Sequence, residues 1–183
     1  MLLPPRARPA LAYAALLAIA AATTAGSCER DVIEPEPVPE PTERANVDER
    51  LLPFFDRYEA EAARRGITVD LSAFQLEGFI HEIAEGGVAG ECTYDPNAPN
   101  TLVVDEELWD GPNTTDLLRE YVVFHELGHC ERLRMHREDR DPDNVCVSVM
   151  ASGTSGCNVR YNPSNREILL DELFDLRFYE DGF

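Results

Sequence analysis

His125 and His129 stand four residues apart in the run Phe124-His125-Glu126-Leu127-Gly128-His129-Cys130. On a helix that spacing puts both imidazoles on one face, one turn apart, where they can hold a single zinc ion. Glu126 follows the first histidine directly and can take a proton from a water that zinc has activated. The chain has four histidines, and three of them fall between positions 125 and 136. A catalytic zinc takes three protein ligands and leaves a fourth position open, which makes His136 the candidate third ligand. Eleven residues of continuous helix would carry His136 about 16 Å from His125. The helix therefore has to end soon after His129, and the chain has to turn back. Glu167 and Glu172, further along, are competing third ligands. Asp139, Asp141 and Asp143 lack a full calcium-loop pattern and read as a solvated acidic loop.

The elements that must position these residues can be read from hydrophobic spacing. Asn113 or Thr114 can cap a helix running to about Cys130, with Leu118, Tyr121, Val122 and then His125 on one face. Residues 48–65 fit a second helix through Leu51, Leu52, Phe55, Tyr58 and Ala62, with Pro53 tolerable near its first turn and Gly66 as its stop. Leu76–Ala84 alternates as a strand with Phe79, His81 and Ile83 on one face, which places His81 in the sheet near the core and not at the metal. Gly86, Gly87 and Gly90 then break the chain. Thr101–Asp105 is a short β-branched strand bounded by turn residues. After Pro163, residues 164–176 form a last amphipathic helix through Ile168, Leu169, Leu173 and Phe174. The fold class is α+β, one small sheet beside the helices.

Two histidines on a helix, a third beyond it, and then Ser148-Val149-Met150 resemble the metzincin clan of zinc peptidases. The nearer likeness is to small exported or lipid-anchored bacterial metallopeptidase-like proteins carrying His-Glu-Leu-Gly-His-Cys. The flanking Val103-Val104-Asp105, Trp109, Asn165-Arg166 and Leu170-Asp171-Glu172-Leu173-Phe174 fit as well, so the resemblance covers roughly residues 76–176. It implies a zincin with a small mixed sheet packed beside the metal helix and a C-terminal helix. It also implies peptide or protein substrates, with His125, His129 and His136 on zinc, Glu126 as general base, and Met150 in a turn beneath the metal. Two departures stand out. His136 follows His129 by seven residues where the clan has six, and Arg132 and Leu133 occupy the region of the glycine that lets the helix turn. Some residue there must take a left-handed conformation, or the turn must be wider. Tyr161 is a candidate oxyanion donor by the same likeness, although its distance from Met150 in sequence favours packing.

The chain carries 35 acidic residues against 16 basic ones, a formal charge of −19, and every basic residue is Arg. A nucleic-acid binder needs a basic surface to displace counterions, so that class is excluded as a lead. Arg6, Arg8, the apolar run Ala10–Ala22 and then Ala25-Gly26-Ser27-Cys28 read as a lipoprotein signal over residues 1–27, with Cys28 lipidated. Residues 28–46, rich in Pro and Glu, read as a tether. Residues 47–183 read as the metallopeptidase-like domain, exported and anchored to a bacterial membrane. Lipidation of Cys28 leaves Cys92, Cys130, Cys146 and Cys157, and an oxidising compartment favours their pairing. Of three possible connectivities, Cys146–Cys157 would close a loop around the Met150 turn, and Cys92–Cys130 would tie the strand region to the metal helix.

Overall fold

A computed structural model of the chain describes residues 44, 46–94, 98–152, 161–175 and 177. All of them belong to the unit Pro39–Phe183. The signal, Cys28, most of the tether and Cys157 lie outside the described residues. The domain's contacts reach back to Arg44, which pairs with Asp56 and Glu59, and to Asn46, whose carbonyl accepts the Gly78 N–H.

Helix α1 (Leu52–Arg64) starts with Pro53 in its first turn, where a missing N–H costs nothing, and buries Leu52, Phe54, Phe55, Tyr58 and Ala62. The sheet is mixed, in the order β1-β3-β2. β1 (Glu77–His81) runs parallel to the central β3 (Thr101–Asp105), and β2 (Gly90–Thr93) runs antiparallel to β3 on its other side. Asp105 ends β3 and caps α2 (Glu106–Trp109) by accepting the Leu108 N–H. Helices α3 (Asp116–Cys130) and α4 (Arg166–Leu173) complete the domain. Among the described residues, no helix is long and apolar enough to cross a membrane.

Strand register fixes which face of the sheet meets the helices. Gly78 and Ile80 of β1 align with Leu102 and Val104 of β3, which align with Cys92 and Gly90 of β2. That face is the inner one: a Cβ on Gly78 would meet Leu51 and Phe55 at 3.1 Å. The expected inward face of β1 is therefore inverted. His81 ends the strand exposed, and the buried positions are Gly78 and Ile80, because α1 approaches the sheet closely enough to need a glycine there. Two further differences are local. Thr115, not Asn113 or Thr114, caps α3 by accepting the Leu118 N–H, while Thr114 closes the preceding turn onto the Leu108 carbonyl. Ile168 is exposed, and Leu169, Leu170 and Leu173 are the buried side of α4.

Helix α3 is the axis of the domain. From Glu120 to Leu127 every side chain is buried, in contact with β2 and β3 on one side and α1 on another. Tyr58 of α1 meets Phe124 edge-on at 5.1 Å and Phe174 beyond α4 at 4.9 Å. The metal-motif helix is thus a core helix, and its one cleft-facing stripe is held by packing on the others.

Candidate metal centre

His125 and His129 project from α3 as the four-residue spacing requires, and the chain then turns back as the third ligand needs. The turn is a Schellman-type helix end: the Leu133 N–H donates to His129 O at 3.1 Å and the Arg134 N–H to Gly128 O at 3.0 Å. Leu133 takes the left-handed position with φ +52°. A residue other than glycine holds that position at a cost of roughly 1–2 kcal/mol, and the seven-residue spacing to His136 is accommodated there. Three imidazoles then converge. His129 Nε2 lies 3.1 Å from His125 Nε2, which lies 3.3 Å from His136 Nε2, and the three candidate ligand atoms lie within 4.8 Å of one another.

The far side of two rings fixes their orientation. His125 Nδ1 donates to the Val149 carbonyl at 2.8 Å, and His129 Nδ1 donates to the Arg134 carbonyl at 2.6 Å. With the proton on Nδ1, each Nε2 presents a lone pair to the shared point. Two such acceptors 3.1 Å apart have no proton to share, so a cation between them fits the donor set. Burial lowers the His125 pKa to about 4 and lowers that of His129, which keeps both lone pairs free at neutral pH.

Met150 is fully buried against α3 at Gly128. Its side chain lies where a Cβ on Gly128 would overlap Met150 Sδ and approach Leu173 Cδ1 at 3.2 Å. Gly128 is therefore the seat that lets the turn press against α3 between the two histidines. Gly128→Ala is expected to lower the urea midpoint by an amount worth about 1–3 kcal/mol, even though alanine favours helix by about 1 kcal/mol. A midpoint at or above that of the parent would show that the turn has room to move.

Glu126 is 5% exposed and faces β2, where a Cβ on Gly90 would come within 2.9 Å of its Cγ. Among the described residues its carboxylate accepts no hydrogen bond. Burial pushes its pKa up to about 8, with the Glu91 charge adding to the shift. A cleft of about 670 Å³ opens in front of it, lined by Gly90, Glu91, Tyr121, His125, His129 and His136 among others. The stripe Leu118, Tyr121, Val122, His125, Glu126 and His129 of α3 forms one wall, and β2 forms the opposite wall. Among the described residues β2 pairs with β3 alone, so its outer edge is open at the cleft. The spacing of residues 86–90 gave no sign of this strand: Gly90 reads as a breaker, yet it is required by the approach of Glu126.

The competing ligands have other work. Glu172 accepts hydrogen bonds from Arg134, Arg137 and Ser148. Glu167 pairs with Arg64, the last residue of α1, and with Arg65 just after it. Asp141 organises its own loop by accepting the N–H groups of Asp143 and Val145, and Asp139 pairs with Arg137. Tyr161 is buried and donates to Glu120 Oε1 at 2.6 Å, away from the oxyanion role and in the packing role. Cys92 and Cys130 form a disulfide that ties β2 to the last residue of α3. Cys146 is also disulfide-bonded. No protein-family model, curated protein or solved structure matches the chain.

Proposed function

We propose that the chain is a zinc-dependent endopeptidase of metzincin-like fold, exported and held at a bacterial membrane surface by a lipid on Cys28. One observation carries the reading: three imidazole nitrogens converge at the mouth of a cleft beside a buried carboxylate that has no partner among the described residues. Two of the three ring-nitrogen separations, 3.1 and 3.3 Å, are close to the edge of a tetrahedron with zinc–nitrogen bonds of about 2.0–2.1 Å, and the third lies within 4.8 Å. Zinc, when bound, supplies Lewis acidity that lowers the pKa of a water toward 7 and polarises a carbonyl. A cation held by the three histidines would favour the ionised form of Glu126 against the burial that raises its pKa, and that carboxylate would take a proton from a water and pass it to the leaving amine.

An extended peptide adds to the open edge of β2 and is held there by main-chain hydrogen bonds. The other strands are placed differently: β3 is central, and Val47 bridges to Gly78 on the outer side of β1. The alternative is a surface binding module with a structural zinc. Such a site is closed by four protein ligands, and among the described residues the cluster contains three.

Zinc content by mass spectrometry, for the parent and His136→Ala, tests the centre. Cleavage of unstructured peptides with and without chelator tests the reaction. The expected result is about one zinc per chain in the parent, far less in His136→Ala, and cleavage that chelator stops. Bound zinc with every peptide left intact would replace the peptidase reading with the binding module.

A further inference from the structure

The three histidines are presented by two backbone segments: α3, which carries His125 and His129, and the loop that returns through His136. Their rings can converge only if the Met150 turn and the His136 loop keep a fixed distance from α3. Packing explains part of this through Gly128 and Met150. The polar side of the arrangement leads to a single carboxylate on α4, away from the cleft.

Glu172 has a side chain 11% exposed and accepts from three groups. Arg134 donates to Oε1, Arg137 donates to the same oxygen at 2.8 Å, and Ser148 Oγ donates to Oε2 at 2.7 Å. Each partner sits beside a group that orients a ring. The Arg134 carbonyl accepts the His129 Nδ1 proton. Arg137 follows His136 directly, and its backbone N–H donates to Met150 O at 2.8 Å. Ser148 Oγ accepts the Met150 N–H at 3.0 Å and precedes Val149, whose carbonyl accepts the His125 Nδ1 proton. Arg134 also donates to the backbone carbonyls of Glu172 and Leu173, closing the C-terminus of α4 onto the same loop.

We propose that Glu172 is the positioning residue of the three-histidine centre, setting the loop that carries His136 and the two carbonyls that orient His125 and His129. It acts through Arg134, Arg137 and Ser148 and touches none of the rings in this role. Groups that hydrogen-bond a metal-binding side chain change affinity by about 10–100-fold when removed, and Glu172 holds in place the segments that present two of them, the Arg134 and Val149 carbonyls. The inference rests on the metal reading above for its affinity readout. Its second readout needs no metal.

The test uses the full chain with Glu172→Gln, which keeps the shape and removes the charge, and with Glu167→Gln on the same helix as control. Zinc affinity is measured by competition with a chromophoric chelator. Histidine tautomers of the metal-free protein are read from ring nitrogen–proton correlations by NMR. The expected result for Glu172→Gln is a zinc Kd raised about 10–100-fold, with His125 and His129 each changing from one Nδ1–H tautomer to a mixture. Glu167→Gln keeps the parent's values. Ser148→Ala, which removes one path and no carboxylate, shifts both readouts in the same direction, an outcome that a ligand role for Glu172 would not produce. A parent-like Kd or parent-like tautomers in Glu172→Gln would overturn the proposal. If the parent itself binds no zinc, the peptidase reading fails, and the tautomers still decide the role of Glu172.

Discussion

Glu126→Gln is expected to reduce peptide cleavage by about 10²–10⁴-fold, the usual contribution of a positioned general base, while zinc content stays at the parent level. Glutamine fills the same space against Gly90 and cannot accept a proton at neutral pH. The same substitution has an opposite effect on the metal-free protein. Burial raises the Glu126 pKa from 4.5 to about 8, with Glu91 adding to the shift. A carboxyl whose folded pKa lies above its unfolded value binds more protons when folded, so it lowers stability as pH rises from about 4.5 towards 8. Metal-free Glu126→Gln should therefore match the parent near pH 4 and exceed it at pH 7 by about 1–3 kcal/mol. Urea midpoints at the two pH values check this. Undiminished cleavage by the variant would remove the base assignment, and equal midpoints at pH 7 would show that water reaches the carboxyl freely.

The largest expected loss of stability comes from Glu120, one turn and a half before His125. It is 2% exposed and accepts from Arg57 at 2.7 Å, Arg166 at 2.6 Å and Tyr161 at 2.6 Å. Those three donors belong to α1, to α4 and to the segment before α4, so one carboxylate ties α3 to both flanking helices. Glu120→Ala takes the acceptor from the buried Tyr161 hydroxyl and leaves Arg57 with Asp116 and Arg166 with Glu61 and Glu167, and is expected to cost about 2–4 kcal/mol. That is a large part of the 5–15 kcal/mol typical of a domain. The pH dependence follows from the direction of the shift. Burial alone would raise the Glu120 pKa, but Arg166, Tyr161 and Arg57 hold it below the ordinary value, and Glu61 is lowered in the same way by Arg65 and Arg166. Groups with a lowered folded pKa stabilise the fold above their unfolded pKa of about 4.5 and lose that contribution as pH falls through the folded value. The parent should lose stability below about pH 4.5, and Glu120→Gln should lose less over that interval. A variant that matched the parent's acid profile would separate Glu120 from acid unfolding.

The parts of the fold legible in the sequence are those whose periodicity agrees with their final burial. α3 announces itself through Tyr121, Val122 and His125, and β3 through a β-branched run that is buried as a central strand. His125 and His129 follow from helix geometry alone, and the need for a turn before His136 follows from the rise per residue. What spacing cannot show is set by contacts between distant segments. β2 has a glycine, an exposed Glu91 and Cys92 in four residues, and it is a strand because β3 pairs with it. The inward face of β1 is decided by Leu51 and Phe55 arriving over Gly78. The left-handed residue after His129 is Leu133, which no local preference selects. Glu172 has the right chemistry for a ligand, and only its three donors show that it is committed elsewhere.

The Cys92–Cys130 bond closes a covalent ring across a sequence separation of 38 residues, and β3, α2 and the whole of α3 lie within it. By the loop-entropy relation a ring of that size destabilises the unfolded chain by about 4 kcal/mol. Protein made in a reducing cytosol forgoes that contribution, which is a large share of the roughly 5–15 kcal/mol typical of a domain. A backbone cut anywhere inside the ring leaves both halves joined until a thiol reductant is added. Material for every assay above therefore has to be oxidised before it is judged, and a nicked sample is recognised by running the same gel with and without reductant.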